Sequence, residues 1–571
     1  MVGLLFAIAT DLLVVGGDEA ACAAAVQAAR MGVADVTLVS DCEMLGGQYC
    51  AQGVGPVDER VVVEGKNVDF PRSGIALEII EAIEAHNLAR YGRACPGNSW
   101  SASHTIEPAA AAEIFERLVG AERGHLRVIR GHEPVEVVME GGRVAGVKFS
   151  RGLEVRAKLT IDASDWGDVI RLSGAKHYCG ADPRSRFGEP MAPEVVGEVE
   201  AQEMNPITWT MTLRENPSAK PIAKPQGYER HWFKQEEIWN ETGIFECPYQ
   251  FNIRCMPYAQ RRLVDTRHFA LKDAVETIQL NATCMDYPLC QWPAHVAAAL
   301  RRLGDGMEKK NFAELPPEGR RIVLEDAKLR SLAYLYFLQN DNPKTVERMR
   351  RFELVDEYGT ADRLPPKPYI REGLRLAAVK MLAERDVKAK EKGRPKWAKC
   401  PPDAAFGFQF HIDFHPTRRE YPDASRPDAW SPRHNAGRDW FSETDRAFFP
   451  YSGFVPCEVE GLLGAGKNIG VSSIVQAALR LHPQMVLSGQ CSGALAATAL
   501  RAGRTPRQIV SDGAAVVELQ ETMVRGVGGK PGVAIWAWQD LSPRDADFFA
   551  ANIPVVRPQP PSDGSFRYSP H

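Results

Sequence analysis

The chain has 571 residues, of which 44% are hydrophobic and 25% are charged, and its formal net charge is −4. These values are typical of a globular protein with room for two or more domains. The slightly acidic balance gives no reason to expect nucleic acid, so we expect a small-molecule substrate and no nucleic-acid partner. The twelve cysteines include no C-x-x-C pair, which argues against zinc and iron–sulfur sites.

Location follows from the same features. We interpret the cysteines as reduced thiols and expect a cytoplasmic protein. The N-terminus is apolar but lacks a basic region, so a signal peptide is not predicted. No run of about 18 uncharged apolar residues predicts a membrane helix, and no membrane partner is expected.

The first predicted elements form a βαβ unit. An apolar run over residues 12–15 predicts a strand buried on both faces. Gly16 and Gly17 end it, an alanine-rich helix is predicted over 20–31, and a second strand over 36–39. Free backbone N–H groups at the start of such a helix favour anions, so the unit predicts a pyrophosphate site there.

The dinucleotide fingerprint G-x-G-x-x-G/A is imperfect. Residues 16–21 spell GGDEAA, which puts Asp18 at the second glycine. Either Asp18 caps the helix and points away from a ligand, which we favour, or it weakens dinucleotide binding. Ser40 stands where an acid would hold a ribose, so Asp41 is the candidate for that role.

Farther along, the character of the chain changes twice. The predicted elements are a helix over 109–120, strands over 126–129, 135–139, 143–149 and 159–163, a helical stretch over 369–392 and a helix at the start of 506–571. Prolines and aromatic residues become frequent over 181–445, which favours a substrate or cap region. Parallel-sheet character returns near Gly461.

Eight short motifs follow one another along nearly the whole chain. They are Leu45-Gly46-Gly47-Gln48, Pro96-Gly97-Asn98, Ile161-Asp162-Ala163 with Gly167-Asp168, Gly188-Glu189-Pro190, Pro368-Tyr369-Ile370-Arg371-Glu372, Ile412-Asp413-x-His415-Pro416, Lys467-Asn468-Ile469-Gly470 and Arg480-Leu481-His482-Pro483. In these motifs the chain resembles the FAD-dependent oxidoreductases of the glutathione-reductase-like superfamily, in particular a bacterial group with an L-G-G-Q loop. It departs from their pattern at Asp18, at Ser40 and at residues 164–166.

The resemblance implies FAD as cofactor and an α/β fold. We expect a three-layer, Rossmann-like FAD-binding domain built from residues 1–180 and 446–505. Residues 181–445 would form a large inserted α+β substrate or cap domain, and residues 506–571 a C-terminal extension. A homo-oligomer is possible within this picture.

The resemblance also implies roles for single residues. The expected cofactor contacts are Gly16, Gly17 and Ala21 at the pyrophosphate, Asp41 at the ribose, Gly46, Gly47 and Gln48 along the cofactor, the Val135 backbone at the adenine, and Asp162, Lys467, Asn468, Ile469 and Gly470 beside the pyrophosphate and flavin. Gly489 and Gln490 would begin a helix aimed at the flavin N1/O2 edge, where a helix dipole stabilises the reduced ring.

Several polar motifs have more than one interpretation. The strand-like run from His411 through Asp413 to His415 is a metal triad, a polar wall of the substrate pocket or a structural cluster. His482 is an acid or base near the flavin, or structural. Arg371 holds a substrate carboxylate, or pairs with Glu372 or Asp413.

Two further patterns have weak support. Residues 461–468 nearly spell a phosphate loop, but Asn468 replaces the Ser or Thr that binds Mg²⁺. Residues 536–538 spell W-x-W, as in flavin halogenases, and we interpret them as packing. No metal site is predicted.

The expected function is FAD-dependent oxidation or reduction of a small organic molecule by hydride transfer at flavin N5. His482, His411, His415 or Arg371 would move the accompanying proton or steady the developing charge. One alternative is a flavin monooxygenase or halogenase that needs NAD(P)H and oxygen. The other is a scaffold protein that has lost its cofactor through Asp18.

Overall fold

The computed structural model describes residues 6–58, 60–63, 66–69, 72–99, 101–228, 233, 259–388, 398–421, 425, 430–435 and 441–535. The W-x-W motif and most of the C-terminal extension lie outside these residues.

A seven-stranded sheet organises the N-terminal part of the chain. In spatial order its strands are Leu126–Ile129, Val36–Val39, Phe6–Val15, Leu153–Asp162, Arg143–Phe149 and Pro134–Glu140, and Leu462–Gly464 pairs with the last residues of Leu153–Asp162. The first four strands and Leu462–Gly464 are parallel, and the hairpin of Pro134–Glu140 and Arg143–Phe149 is antiparallel. One strand from the C-terminal half therefore completes a sheet begun at the N-terminus.

The last four residues of the first strand, 12–15, are apolar and buried because both faces of the sheet are covered there. Leu12 and Val14 enter the core on the helical side of the sheet, whereas Leu13 and Val15 pack on the opposite side with residues such as Val144. An apolar run without alternation is the sequence pattern of such a doubly buried strand.

Two helices from opposite ends of the chain pack against each other on the helical side. Helix Glu19–Arg30 lies on helix His482–Ala502. A Cβ atom on Gly489 would lie 1.9 Å from the carbonyl oxygen of Ala20, and one on Gly493 would lie 2.2 Å from that of Ala24. The missing side chains thus let the two backbones touch.

The intervening residues form a second layer of structure. A four-stranded antiparallel sheet has the order Arg262–Val264, Thr277–Leu280, Met211–Glu215 and Phe352–Leu354. Helix Pro317–Asn340 packs on it through a shared apolar core. This sheet and helix lie, in sequence, between the two parts of the first sheet.

The remaining elements are further helices and short strand pairs. The other helices are Gly74–Tyr91, Pro108–Gly120, Asp168–Leu172, Arg184–Phe187, Glu198–Gln202, Ala294–Leu303, Val346–Met349, Glu384–Val387, Ser473–Gln476, Pro506–Val510 and Gly513–Arg525. Paired strands outside the two sheets are Arg60–Val63 with Lys66–Asp69, His177–Tyr178 with Arg375–Leu376, Ala404–Phe408 with Ala447–Pro450, Ile412–Asp413 with Phe441–Ser442, and Arg418–Glu420 with Ser431–Arg433. No helix in the described part of the chain has the length and hydropathy needed to span a bilayer, and the described cysteines are all free.

The predicted fold class is confirmed: an α/β protein with a Rossmann-like parallel sheet and an inserted α+β region. The predicted strands over 36–39, 126–129 and 143–149 are found at those bounds, and the helix predicted over 109–120 is Pro108–Gly120.

The helical stretch predicted over 369–392 is wrong. Its described residues form extended segments with one short helix, Glu384–Val387. Arg371 and Arg375 are fully buried and paired with acids from other parts of the chain. These tertiary contacts outweigh the local helix propensity.

The expected helix start near Gly489 is also wrong. The helix begins at His482, with Pro483 in its first turn. Proline is favoured there because backbone N–H groups in the first turn have no acceptor within the helix, so the lack of one costs no hydrogen bond. Gly489 lies inside the helix, where it permits the close contact with Ala20.

Candidate cofactor and substrate site

The turn after the first strand brings three chain segments together. Gly16 has φ +132°, and a Cβ atom there would lie 2.1 Å from the carbonyl oxygen of Ala163. A Cβ atom on Gly17 would lie 2.1 Å from the Ser40 Oγ. Both glycines therefore allow the carboxyl ends of neighbouring parallel strands to crowd together, which is where open α/β sheets bind ligands.

Asp18 caps the helix that follows. Its Oδ1 accepts a hydrogen bond of 2.8 Å from the backbone N–H of Ala21, and its backbone is extended, as expected of a capping residue. The capping role is confirmed, and the orientation away from a ligand stays a prediction. Because the side chain is buried, however, a carboxyl group lies inside the turn where a pyrophosphate is predicted.

Glu19 connects the same helix to the L-G-G-Q loop. Its carboxylate accepts hydrogen bonds from the Gln48 backbone N–H at 2.9 Å and from Gln48 Nε2 at 2.8 Å. Gln48 Nε2 also donates to the carbonyl oxygen of Arg480 at 3.0 Å. A Cβ atom on Gly47 would lie 2.1 Å from Glu19 Oε2, so the loop can approach Glu19 only with glycine there.

Three buried polar atoms near this turn have no hydrogen-bond partner among the described residues. They are Lys467 Nζ, Gln48 Oε1 and Asn468 Oδ1. The nearest carboxylate oxygen recorded for Lys467 Nζ is Asp18 Oδ2, at 3.9 Å. An unsatisfied buried ammonium is costly, and the phosphates of a dinucleotide would satisfy it. The residues present therefore fit FAD, with Lys467, Gln48 and Asn468 as groups that would hold it.

The charges at the turn perturb one another. Burial, and then the neighbouring Glu19, raises the pKa of Asp18 to about 8. Burial also raises the pKa of Glu19. Burial alone would lower the pKa of Lys467, but Glu19 and Asp18 outweigh it and raise that pKa. These shifts favour a charged Lys467 and a protonated Asp18.

Asp41 and Asp162, two other predicted cofactor contacts, are held by protein groups. Asp41 binds Lys367 Nζ at 2.6 Å, and the same ammonium contacts Asp165. Asp162 accepts hydrogen bonds from the backbone N–H groups of Ser164 at 3.0 Å and Ile170 at 2.7 Å. Burial raises the pKa of Asp162 to about 6.

The remaining cofactor candidates lie in varied surroundings. Val135 is 52% exposed, at a bulge between the paired residues Pro134 and Glu136. Gln490 accepts a hydrogen bond of 2.9 Å from the Ile75 backbone N–H and donates one of 2.9 Å to Gln27. Ala21, Ile469, Gly470 and Gly489 are all buried. Their roles toward FAD stay predictions.

A second group of charged residues lies on the other side of Gln48. Arg371 Nη2 is 3.2 Å from Asp286 Oδ1, and both side chains are fully buried. Arg371 Nη1 also donates to the Thr208 hydroxyl at 2.9 Å. Asp286 Oδ2 is 2.7 Å from His415 Nδ1. Arg371 therefore pairs with Asp286, and neither predicted partner, Glu372 nor Asp413, takes that place.

Arg480 joins these residues to the cofactor turn. Its guanidinium donates to the Tyr369 hydroxyl at 2.9 Å and to Asp413 Oδ2 at 2.9 Å, and Asp413 Oδ2 lies 3.8 Å from His415 Nε2. We call Asp286, Arg371, Asp413, His415 and Arg480 the charge cluster. Since the Arg480 carbonyl binds Gln48, the cluster directly adjoins the L-G-G-Q loop.

The charge cluster perturbs its own titratable groups. Burial, and then Arg371, lowers the pKa of His415. Burial acts to raise the pKa of Asp286, but Arg371 and His415 outweigh it and lower that pKa. The cluster therefore combines a neutral imidazole with ionised Asp286 near neutral pH.

The other two candidate histidines lie in different surroundings. His482 Nε2 is 2.9 Å from the Val54 carbonyl oxygen, and its Nδ1 is 3.3 Å from the Asp58 backbone N–H. These contacts place the proton on Nε2 and favour the structural interpretation of His482. His411 packs against the rings of Phe410 and Phe441. Strand Ile412–Asp413 has two residues, so the histidines flank it, and the described residues contain no group suited to a metal ion.

Sequence reasoning missed several residues of this site. Arg480 was visible in the R-L-H-P motif, although its role was not. Asp286, Thr208 and Lys367 carry no local signal, because each meets its partners only through the folded chain. Glu19 was noticed as an acid in the fingerprint, without its contact to Gln48.

Comparison with known proteins identifies the family of this chain. The model of the FAD-dependent oxidoreductase family matches residues 11–523. A tRNA uridine 5-carboxymethylaminomethyl modification enzyme from Dichelobacter nodosus is 27% identical over 200 residues, 33% of this chain and 28% of that protein. Its counterpart from Aquifex aeolicus is 24% identical over 190 residues, 32% of this chain and 28% of that protein. This chain thus spans about 28% of the length of these curated relatives.

A solved structure of a geranylgeranyl bacteriochlorophyll reductase-like protein from Thermoplasma acidophilum is also similar. The two sequences are 16% identical, and the match covers 38% of this chain and 49% of the Thermoplasma protein, with a TM-score of 0.22.

The fold and the cofactor turn define a flavoprotein of the Rossmann class. The chain belongs to the FAD-dependent oxidoreductase family, and FAD is its cofactor. The expectation of a small-molecule substrate without any nucleic-acid partner is wrong, because the matching relatives are tRNA-modifying enzymes. Net charge is a weak guide to such a partner, because it averages over the whole surface, whereas nucleic acid contacts only a local patch.

Proposed function

We propose that this oxidoreductase transfers a hydride between its substrate and flavin N5, and that the charge cluster faces the reacting atoms. When bound, FAD supplies the hydride acceptor or donor. The observation that carries the proposal is the direct link from the cofactor turn to the cluster: Gln48 binds Glu19 on one side and the Arg480 carbonyl on the other.

His415 is the proposed proton carrier. With its Nδ1–H donated to Asp286, the imidazole keeps a lone pair on Nε2, on the side of Asp413. Its lowered pKa keeps it neutral at pH 7 and able to accept a proton. Asp286 and Asp413 would then stabilise the imidazolium that forms, as a carboxylate does for a catalytic histidine.

The two arginines are proposed to hold charge that develops on the substrate. Arg371 and Arg480 are both buried and fixed by carboxylates and neighbouring oxygens, so their positions need no rearrangement during the reaction. Preorganised cations in a site from which water is excluded stabilise a developing anion more than flexible exposed ones.

Flavin absorption and bleaching test the redox proposal. The purified protein should show bands near roughly 370 and 450 nm, and anaerobic NADH or NADPH serves as the hydride donor to be tried. His415→Gln should keep the bound flavin while slowing turnover by about 10²–10⁴-fold, the usual contribution of a positioned acid or base. Equal rates in this variant and the wild type would remove His415 from the mechanism.

The substrate class proposed for the first test is a nucleoside of transfer RNA. Its support is the names of the two curated relatives, which match about one third of this chain. Total bacterial tRNA is the probe, in a mobility-shift assay at 50 and 200 mM salt, followed by mass spectrometry of the digested RNA. Contacts to several phosphates should weaken binding by orders of magnitude between these salt concentrations. No binding at 50 mM salt would reject RNA as substrate and leave the flavin chemistry standing.

A further inference from the structure

The nucleotide-binding turn carries more negative charge than a pyrophosphate site should. Asp18 and Glu19 begin the helix, and both side chains are buried. Asp165 interacts with both of them. A pyrophosphate brings two further negative charges to the same place, and like charges in a buried site repel strongly.

In the part of the chain that the structure describes, few cations face this turn. Lys467 Nζ is buried, lies 3.9 Å from Asp18 Oδ2, and has no hydrogen-bond partner among the described residues. The Lys367 ammonium faces Asp165, but it is shared with Asp41. Glu19 is occupied by its two hydrogen bonds from Gln48. Both Glu19 and Asp18 act on Lys467, but Asp18 forms the ion pair with it, so ionised Asp18 competes with a phosphate for this ammonium.

We propose that Lys467 binds the FAD pyrophosphate, and that Asp18 must carry a proton for it to do so. The proton comes from solvent and is held on the Asp18 carboxyl while the cofactor is bound. Where free Asp18 is ionised, FAD binding therefore takes up one proton. The inference rests on FAD being the cofactor, and it explains how a fingerprint with an acid at its second glycine is compatible with one.

The two protonation states of Asp18 differ in what they offer the ligand. Ionised Asp18 attracts the Lys467 ammonium and repels phosphate; protonated Asp18 leaves that ammonium to the phosphate. Burial and Glu19 already raise the pKa of Asp18 to about 8, and a neighbouring phosphate would raise it further. Glu19, the strongest of the charges that raise the pKa of Lys467, acts in both protonation states of Asp18.

Titration of the flavin-free protein with FAD tests this inference. Affinity is measured by quenching of flavin fluorescence from pH 6.5 to 9. We expect the wild-type affinity to fall above about pH 8, approaching tenfold per pH unit, the slope that linkage gives for one proton. Calorimetry at pH 8.5 in two buffers of different ionisation enthalpy should count up to one proton taken up.

Two variants of Asp18 isolate its role. Asp18→Asn keeps a capping side chain without the charge, so its affinity should be independent of pH and should exceed that of the wild type at pH 9. Asp18→Ser also keeps a side chain that can cap the helix, through its hydroxyl group. It replaces Asp18→Asn in the experiment if that variant folds poorly. The matched control is Asp512→Asn, since Asp512 also caps a helix, at Ala514 and Ala515; it should titrate like the wild type.

The outcomes separate this inference from the cofactor assignment. If wild type and Asp18→Asn bind FAD with the same pH dependence, the inference is overturned and the cofactor stands. If neither binds FAD at pH 6.5, the cofactor assignment fails and takes the inference with it. Lys467→Gln should lower affinity at pH 6.5, whereas Lys467→Arg should retain most of it; equal affinity in Lys467→Gln and the wild type would also overturn the inference.

Discussion

Arg371 shows how a single residue in this site depends on partners distant in sequence. Its guanidinium is fully buried and paired with Asp286 at 3.2 Å. Burying two charges costs desolvation free energy, which their mutual attraction offsets. Removal of one partner therefore leaves the other as a buried charge without compensation. The pair therefore matters for folding as well as for the reaction proposed above.

Replacement of Arg371 should destabilise the protein strongly. We expect Arg371→Met to lower the free energy of unfolding by about 3–5 kcal/mol, because Asp286 then loses its nearest cation. Urea denaturation followed by circular dichroism measures the change. Arg433→Met is the matched control, since Arg433 and Glu420 are 55% and 45% exposed and such pairs contribute about 0–1 kcal/mol. Similar losses in both variants would contradict the role of the buried pair.

His415 predicts how stability depends on pH. Burial and Arg371 lower its pKa in the folded state, so the unfolded chain binds more protons just below the ordinary histidine pKa of about 6.5. Stability should therefore be complete above about pH 6.5 and should fall as pH drops toward the folded pKa. Unfolding curves between pH 5 and 7.5 should show a smaller slope in His415→Gln; an unchanged slope would assign the effect to other groups.

Among the elements, helix His482–Ala502 has the most demanding contact. Its glycines lie against the backbone of helix Glu19–Arg30, at Ala20 and Ala24. This contact sets the position of the helix start that carries Asp18, and hence the shape of the cofactor turn.

Adding one methyl group to this contact should be costly. Gly489→Ala would place a Cβ atom 1.9 Å from the Ala20 carbonyl oxygen, so the helices must separate; we expect a loss of about 2–3 kcal/mol and weaker FAD binding. Gly513→Ala is the control, because a Cβ atom on Gly513, also helical, meets nothing within 4 Å. It should be neutral or stabilise by up to about 1 kcal/mol. Thermal denaturation compares the two, and equal melting temperatures would contradict the close contact.

In the molecule as a whole, the first sheet and its covering helix come from both ends of the sequence. Leu462–Gly464 pairs with Leu153–Asp162, and helix His482–Ala502 covers helix Glu19–Arg30, which is buried along most of its length. Residues 1–180, although predicted as one part of a domain, therefore lack a strand and a helix that their core requires.

A fragment of residues 1–180 should not fold alone. Its first helix would expose a large apolar surface, and such surfaces promote aggregation. We expect the fragment to be insoluble or to show no cooperative unfolding by circular dichroism. Co-expression with residues 181–571 should recover soluble, flavin-binding protein. Cooperative unfolding of the fragment by itself would show that the C-terminal strand and helix are dispensable.

Local patterns located the elements of the first sheet, although the strands predicted over 12–15 and 159–163 each begin six residues earlier, at Phe6 and Leu153. The doubly buried strands are visible in the sequence as apolar runs. Two glycines mark the hairpin turn at 140–142, and Gly16 and Gly17 mark the cofactor turn. Each of these features depends on backbone conformation and solvation over only a few residues, so a local pattern is enough to reveal it. The family motifs identified the cofactor for the same reason: they encode short loops.

The sequence by itself thus determined the α/β class, the βαβ unit, the capping role of Asp18 and FAD as cofactor. Only the tertiary structure decided the pairing of Arg371 with Asp286, the start of the long helix at His482 and the meeting of Asp18 with Lys467. Each of these joins groups far apart in sequence, and a buried charge finds its partner through the whole fold. No local pattern records that choice, since the energy of a buried pair depends on the burial and position of both members.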